Sequence, residues 1–438
     1  MAVLREIGAN YTPGEGTVFT VWAPEAQTVQ VLLHKPEPIQ VPLQREAMGY
    51  WTGLSEFATP GTRYTIVLNE ETERPDPASH YQPDDVHSPS AVVDHTAFKW
   101  TDKDWKNLPL HEYIIYELHI GTFTPEGTFE SAIEKLPELK ELGITAIEIM
   151  PVAQFPGNRN WGYDGVLPFA VQNSYGGPDG LKKLVNASHK HGLAVVLDVV
   201  YNHMGPEGNY LHDFGPYVTY KYNTPWGMAI NFDDNHSDAV RNFFFQNALM
   251  WFRDYHLDAL RLDAVHAIYD MGARHFLQEL QEHVQELEQQ VGRDFILIAE
   301  SDLNDVRLIN PIDHGGYGLD AQWSDDFHHV IHAMVTGEQE GYYVGFGKPE
   351  QLAKVMERAF VYDGLYSEHR HRTFGSNTGQ NKAEQFVVCS QNHDQVGNRM
   401  LGERLSDLVD YETLKVVAGL VILSPYLPML FMGEEYGE

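Results

Sequence analysis

The stretch Ala194-Val-Val-Leu-Asp-Val-Val200, running on into Tyr201-Asn-His203, decides the fold. It is a short apolar run that ends in acidic and polar residues, and it follows an amphipathic segment, Gly180 to His191. A strand entered from a helix predicts a βαβ unit and a parallel sheet. Working outward, the same unit recurs. Candidate strands are Ile114 to Leu118, Ala146 to Met150, Ala194 to Val200, Ala259 to Asp263, Phe295 to Glu300, Asp320 to Trp323, Phe386 to Gln391 and Met429 to Met432. Helical patterns fall between them, for example Glu130 to Leu142, Ser237 to Tyr255 and Ala273 to Gln290. Eight such strands predict an α/β protein built as a closed (β/α)8 TIM barrel. An open doubly wound sheet is the alternative, but no Gly-x-Gly-x-x-Gly follows any strand.

Upstream, Val18 to Ala23, Val29 to Leu33, Tyr50 to Leu54 and Arg63 to Leu68 are short alternating runs broken by turn residues, which predict a small all-β sandwich. The expected division is a sandwich over 1–95, a linker over 96–110 carrying Trp100 and Trp105, and a barrel over 111–438. With 438 residues the chain is too long for one ordinary domain. A net charge of -32 disfavours nucleic acid and anionic membrane surfaces, which need clustered Lys and Arg, and leaves a neutral sugar compatible. Cys389 is the single cysteine, so no intrachain disulfide forms and a reducing compartment is the default. Arg5 and Glu6 interrupt the amino terminus where a signal peptide needs an apolar stretch, and no run of about 18 apolar residues follows, so the expectation is a soluble cytoplasmic protein.

In a barrel the carboxyl ends of the strands share one rim, which brings together residues far apart in sequence. Asp198, Asn202 and His203 follow strand three, Arg261 and Asp263 end strand four, Glu300 ends strand five, and Asn392, His393 and Asp394 follow strand seven. Any one of these reads equally well as a charged turn. Four together do not. Asp263 beside a guanidinium stays ionised, whereas Glu300 at the mouth of a buried strand keeps its proton, and that opposition suits cleavage of a sugar acetal. One acid attacks and the other protonates. A retaining glycosidase needs the two about 5 to 5.5 Å apart, a separation that neighbouring strand ends supply.

These residues resemble the α-amylase family of glycoside hydrolases. Four matches carry the resemblance: Asp198-Val-Val-Tyr-Asn-His203, Leu260-Arg-Leu-Asp263, Ala299-Glu300 and Gln391-Asn-His-Asp394. It extends over the whole chain, because the leading segment with Trp22-Ala23-Pro24 looks like the carbohydrate-binding sandwich that precedes the barrel in branching enzymes. The resemblance implies a retaining mechanism on α-glucosidic bonds, with Asp263 as nucleophile, Glu300 as general acid and base, and Asp394 gripping sugar hydroxyls. Tyr163, His203, Arg261 and His393 are then expected at the substrate. The family places a histidine four residues after the nucleophile, but that position is Ala267 here, and His266 stays unassigned.

Within the family, Trp323-Ser-Asp-Asp-Phe-His-His329, Gly337-Glu-Gln-Glu-Gly-Tyr-Tyr343 and Ser301-Asp-Leu-Asn304 resemble members that cut the α-1,4 bond next to the terminal trehalose of a maltooligosyltrehalose. Asp325, Phe327 and Tyr343 are candidates for recognising that end, each equally readable as a cap, a packing ring or a loop residue. A glucan branching enzyme, a plain α-amylase and a non-catalytic sugar-binding barrel remain the rival readings. No cofactor is expected. No metal is either, since neither the neighbourhood of Asn202 nor the His-rich Glu368-His-Arg-His-Arg372 and His328-His329 shows convergent ligand spacing. The run Met429 to Glu438 reads as the last strand and its loop, with no eighth helix after it, so the expectation is that a longer protein was cut.

Overall fold

The computed structural model describes residues 4–438; Met1, Ala2 and Val3, part of the expected sandwich and of the amino-terminal reading, lie outside the described residues. Two antiparallel sheets come first. One joins Gly8–Thr12, Gly16–Trp22, Tyr50–Ser55 and Gln44–Arg45; the other joins Ile39–Pro42, Val29–His34, Arg63–Leu68 and Thr72–Arg74, with Ser90–Ala91 added on Arg63–Leu68. Strand alternation sends Phe19, Val31, Leu33, Tyr64 and Ile66 into the space between them, all at 0% exposure. Phe19 meets Tyr64 edge to face at 5.0 Å.

Eight parallel strands then close into a barrel: β1 (Ile115–Leu118), β2 (Ala146–Ile149), β3 (Ala194–Val199), β4 (Ala259–Leu262), β5 (Ile296–Ala299), β6 (Ala321–Trp323), β7 (Phe386–Cys389) and β8 (Leu427–Phe431), with β1 pairing back onto β8. The predicted strands differ from these mostly by a residue or two at the ends. The eighth starts earlier than expected, taking in Pro428, which pairs with Val388 despite its missing N–H. The predicted helix Glu130 to Leu142 is in fact two, Phe129–Ile133 and Leu136–Leu142. Pro137 explains the break: without an N–H it is accommodated only in a first turn, so it opens a new helix.

The linker is fastened to the amino-terminal floor of the barrel by buried charge. His189 sits between Asp102 and Asp258 at 2.8 Å from each, with side-chain exposures of 1%, 2% and 0%. The Trp105 indole donates to Asp258 and stacks on His189 at 4.7 Å, while Arg293 donates to Asp258 and His256 shares Asp102. Burial works against His189, yet the two aspartates raise its pKa, and the same contacts hold Asp102 and Asp258 below the carboxylate range against their own burial. A raised histidine contributes stability that is lost as pH climbs through its folded value, and lowered carboxylates contribute stability lost as pH falls through theirs. The clamp is therefore strongest between those limits. His189→Ala leaves Asp258 short of a buried cation and is expected to cost about 3 kcal/mol, read as a drop of several degrees in the thermal midpoint.

Candidate active site

Side chains of successive strand residues point to opposite faces, so the barrel lumen can be read from its apolar layers. Ile115, Ala146, Val196, Ala259, Ile298, Ala321, Trp323 and Cys389 belong to one core cluster, separate from the larger core outside the strands. Two residues further along the same strands come Glu117, Glu148, Asp198, Arg261 and Glu300, which therefore face inward at the rim. Register fixes their neighbours: Glu117 lies opposite Glu148, and Asp198 opposite Arg261.

Arg261 is the hub. At 0% exposure, its Nη1 donates to Asp198 at 2.9 Å and to Asp263 at 2.7 Å, and its Nη2 lies 3.7 Å from Glu300. The guanidinium also stacks over Trp323, 4.2 Å from the ring centre. Arg261 has no face left for a sugar, so its part is to orient acids. Asn202 donates to the other oxygen of Asp263 at 2.8 Å. Burial pushes the Asp263 carboxyl up, but Arg261 and the Asn202 hydrogen bond outweigh it and hold the group below the carboxylate range. Glu300 goes the other way: burial raises its pKa well above the usual value, and Arg261, slightly farther off, only partly offsets this. The pair thus divides into one acid held towards its charged form and one pushed towards its protonated form, around one cation.

The backbone joins them as well. Ala264 adopts the left-handed conformation, φ 40° and ψ 49°, unusual for a residue with a Cβ. That turn aims its N–H at Glu300 Oε2, 2.5 Å away, while Val265 N–H donates to the Glu300 carbonyl at 3.0 Å.

Asp394 is half exposed and open to a ligand, and Asp325, in the first turn of helix Asp325–Thr336, is pushed up to about 7 by burial and by Asp394. The Tyr163 hydroxyl donates to Asp198 at 2.6 Å and contacts His393 Nε2 at 2.7 Å. Its loop packs tightly because Gly162 has no side chain: a Cβ there would sit 2.0 Å from the Pro151 carbonyl oxygen. His203 spends one ring nitrogen on Asn202 and the other on the Tyr163 carbonyl, and Trp226 lies flat on it at 4.9 Å. Phe327 and Tyr343 are not on the open wall. Phe327 is at 0% exposure and packs edge-on to Tyr426, and Tyr343 is buried, stacked on His332 and bonded to His328, with half-exposed Tyr342 beside it. His266 lies 3.9 Å from Asp302.

Sequence reasoning missed Glu117, Glu148, Trp226 and Tyr342. A lone acid inside an otherwise apolar strand was the available signal for the first two. Among the described residues, no group of three or more His, Cys, Asp or Glu is arranged to hold a metal ion, and no helix is long and apolar enough to cross a membrane.

A parallel barrel whose rim sets a carboxylate of lowered pKa beside one of raised pKa is the arrangement of a glycosidase of the α-amylase type. Residues 93–224 match the model for the alpha amylase catalytic domain, and residues 6–82 match carbohydrate-binding module 48, the isoamylase N-terminal domain. A crystal structure of a putative alpha amylase from Salmonella typhimurium superposes with a TM-score of 0.93 at 42% identity, covering 100% of this chain and 74% of that one. The chain is 52% identical over 424 residues to the malto-oligosyltrehalose trehalohydrolase of Saccharolobus solfataricus, covering 97% of this chain and 74% of that protein. A 1,4-alpha-glucan branching enzyme of Clostridium perfringens is more distant, 27% identical over 97% of this chain and 67% of its own length. The chain belongs to the malto-oligosyltrehalose trehalohydrolase family.

Proposed function

We propose that the chain hydrolyses the α-1,4 bond next to the terminal trehalose of a maltooligosyltrehalose, with retention at the anomeric carbon. The observation that carries this is the sharing of Arg261 by Asp263 and Glu300, two acids on adjacent strands whose pKa values are pushed in opposite directions. In the first step the Asp263 carboxylate attacks the anomeric carbon while Glu300 gives its proton to the departing glycosidic oxygen, which leaves on trehalose. In the second, Glu300 takes a proton from water, and that water displaces Asp263 from the glucosyl carbon. Asp394 grips ring hydroxyls, Tyr163 offers a ring to a sugar face, and His203 and His393 frame the same glucose. Asp325 is the candidate at the trehalose end; Phe327 and Tyr343 serve that wall by packing beneath it, as their burial supports. Buried, unpaired Cys389 suits a reducing compartment, and the reading places the enzyme in the cytoplasm.

Incubation with maltotriosyltrehalose, followed by NMR, tests the reading. Trehalose and maltotriose are expected, with the α anomer appearing first. A β anomer first would exclude Asp263 as nucleophile, and new α-1,6 linkages without trehalose would favour the branching reaction.

A further inference from the structure

Glu117 and Glu148 face each other across the register of β1 and β2, both at 0% exposure, beneath the open site. Two buried like charges directly opposite are unfavourable unless a cation joins them or one is neutral. Glu117 has the cation. Its Oε1 lies 2.5 Å from His393 Nδ1, and its Oε2 accepts from the His393 backbone N–H at 3.1 Å. Neither oxygen of Glu148 has a hydrogen-bond partner among the described residues.

Tyr163 has one hydroxyl proton and donates it to Asp198, so with Asp198 ionised the contact at Nε2 requires the ring to donate there. Glu117 is an acceptor, so the ring must donate at Nδ1 too. Only imidazolium carries protons on both nitrogens. From Glu117 a continuous polar chain then runs through His393, Tyr163, Asp198 and Arg261 to Asp263, with successive contacts of 2.5, 2.7, 2.6, 2.9 and 2.7 Å.

We propose that Glu117 is a positioning residue of the reaction, which touches no substrate and holds His393 in its doubly protonated form under the glucosyl ring. The inference rests on the glycosidase reading above. The titratable and charged groups facing His393 are Glu117 from β1, Glu148 from β2, Asp198 from β3, Arg261 from β4 and Asp394 beside it, with His119 just past β1. Burial and Arg261 pull the histidine pKa down, but Glu117 and Asp394 overcome them and carry it up to about 9. Burial, reinforced by Glu117, raises Glu148 well above the carboxylate range, which favours its neutral form within the facing pair.

Removing the charge of Glu117 returns His393 towards its ordinary range, and the second ring proton is then lost near neutrality. The test is the pH profile of kcat/KM for Glu117→Gln on maltotriosyltrehalose. The ratio of variant to wild type is expected to fall about 20-fold between about pH 6 and about pH 8, as an ordinary histidine near pH 6.5 requires. Glu117→Asp, which keeps the charge, is expected to be slower with its ratio to wild type flat across that span. A purely structural role lowers the Gln variant equally at every pH, and that parallel profile overturns the proposal. If Glu117→Gln does not fold, wild type decides by histidine nitrogen NMR: one ring doubly protonated at pH 8 and missing from His393→Gln supports the proposal, and no such ring sinks it. A wild type that cuts no maltooligosyltrehalose defeats the glycosidase reading instead, a distinct result.

Discussion

Asp263→Asn is expected to reduce kcat on maltotriosyltrehalose by at least about 10⁴-fold, the scale seen when a covalent enzyme loses its nucleophile. An amide keeps the shape and still accepts a hydrogen bond from Asn202, but it cannot form the glycosyl ester. The fold should survive, since Arg261 retains Asp198 at 2.9 Å and Glu300 nearby. The informative pair of measurements is therefore kcat and the thermal midpoint: turnover gone, melting shifted by a few degrees at most. An Asp263→Asn protein that turns over within tenfold of wild type would remove Asp263 from the chemistry altogether.

Glu300→Gln comes second in size. Loss of proton transfer costs about 10² to 10⁴ in rate, and the loss should be smaller for a substrate whose leaving group departs without protonation, such as an activated aryl glycoside. The pH profile gives the sign independently. With Asp263 as nucleophile and Glu300 as acid, as proposed, wild-type activity is expected to fall at the acid end as Asp263 takes a proton and at the alkaline end as Glu300 loses one. With Asp263 lowered and Glu300 raised, the plateau between is wide. The Glu300→Gln change should abolish the alkaline limb attributable to that residue. A Glu300→Gln enzyme that loses equal rate on both kinds of leaving group would argue that Glu300 shapes the pocket and transfers no proton.

The barrel was legible because each strand is a mostly apolar run of three to six residues framed by helix-forming segments, and the rim acids were legible because a strand end is a position the sequence itself marks. Arg261 and Asp263 could even be paired by eye, being two residues apart on one strand. Glu117 and Glu148 were not, because an acid within a strand gains meaning only from the register that sets it opposite another and beneath a histidine 276 residues away. Phe327 failed differently: its helix was recognisable, but which side of the helix meets Tyr426 is decided by packing between elements, which sequence spacing alone leaves open. Trp226 was missed because it sits on a hairpin, Val218–Thr224 with Gly227–Ile230, whose reach to His203 follows from loop geometry.

The left-handed turn at Ala264 has a stereochemical consequence. By spending its amide on Oε2 of Glu300, the turn makes the two oxygens of that carboxyl inequivalent and leaves Oε1 as the oxygen to carry a proton. The acid can then serve only one lobe of the departing oxygen's lone pairs. Ligands whose aglycone presents the opposite lobe should lodge in the groove as inhibitors, uncut however tightly they are held.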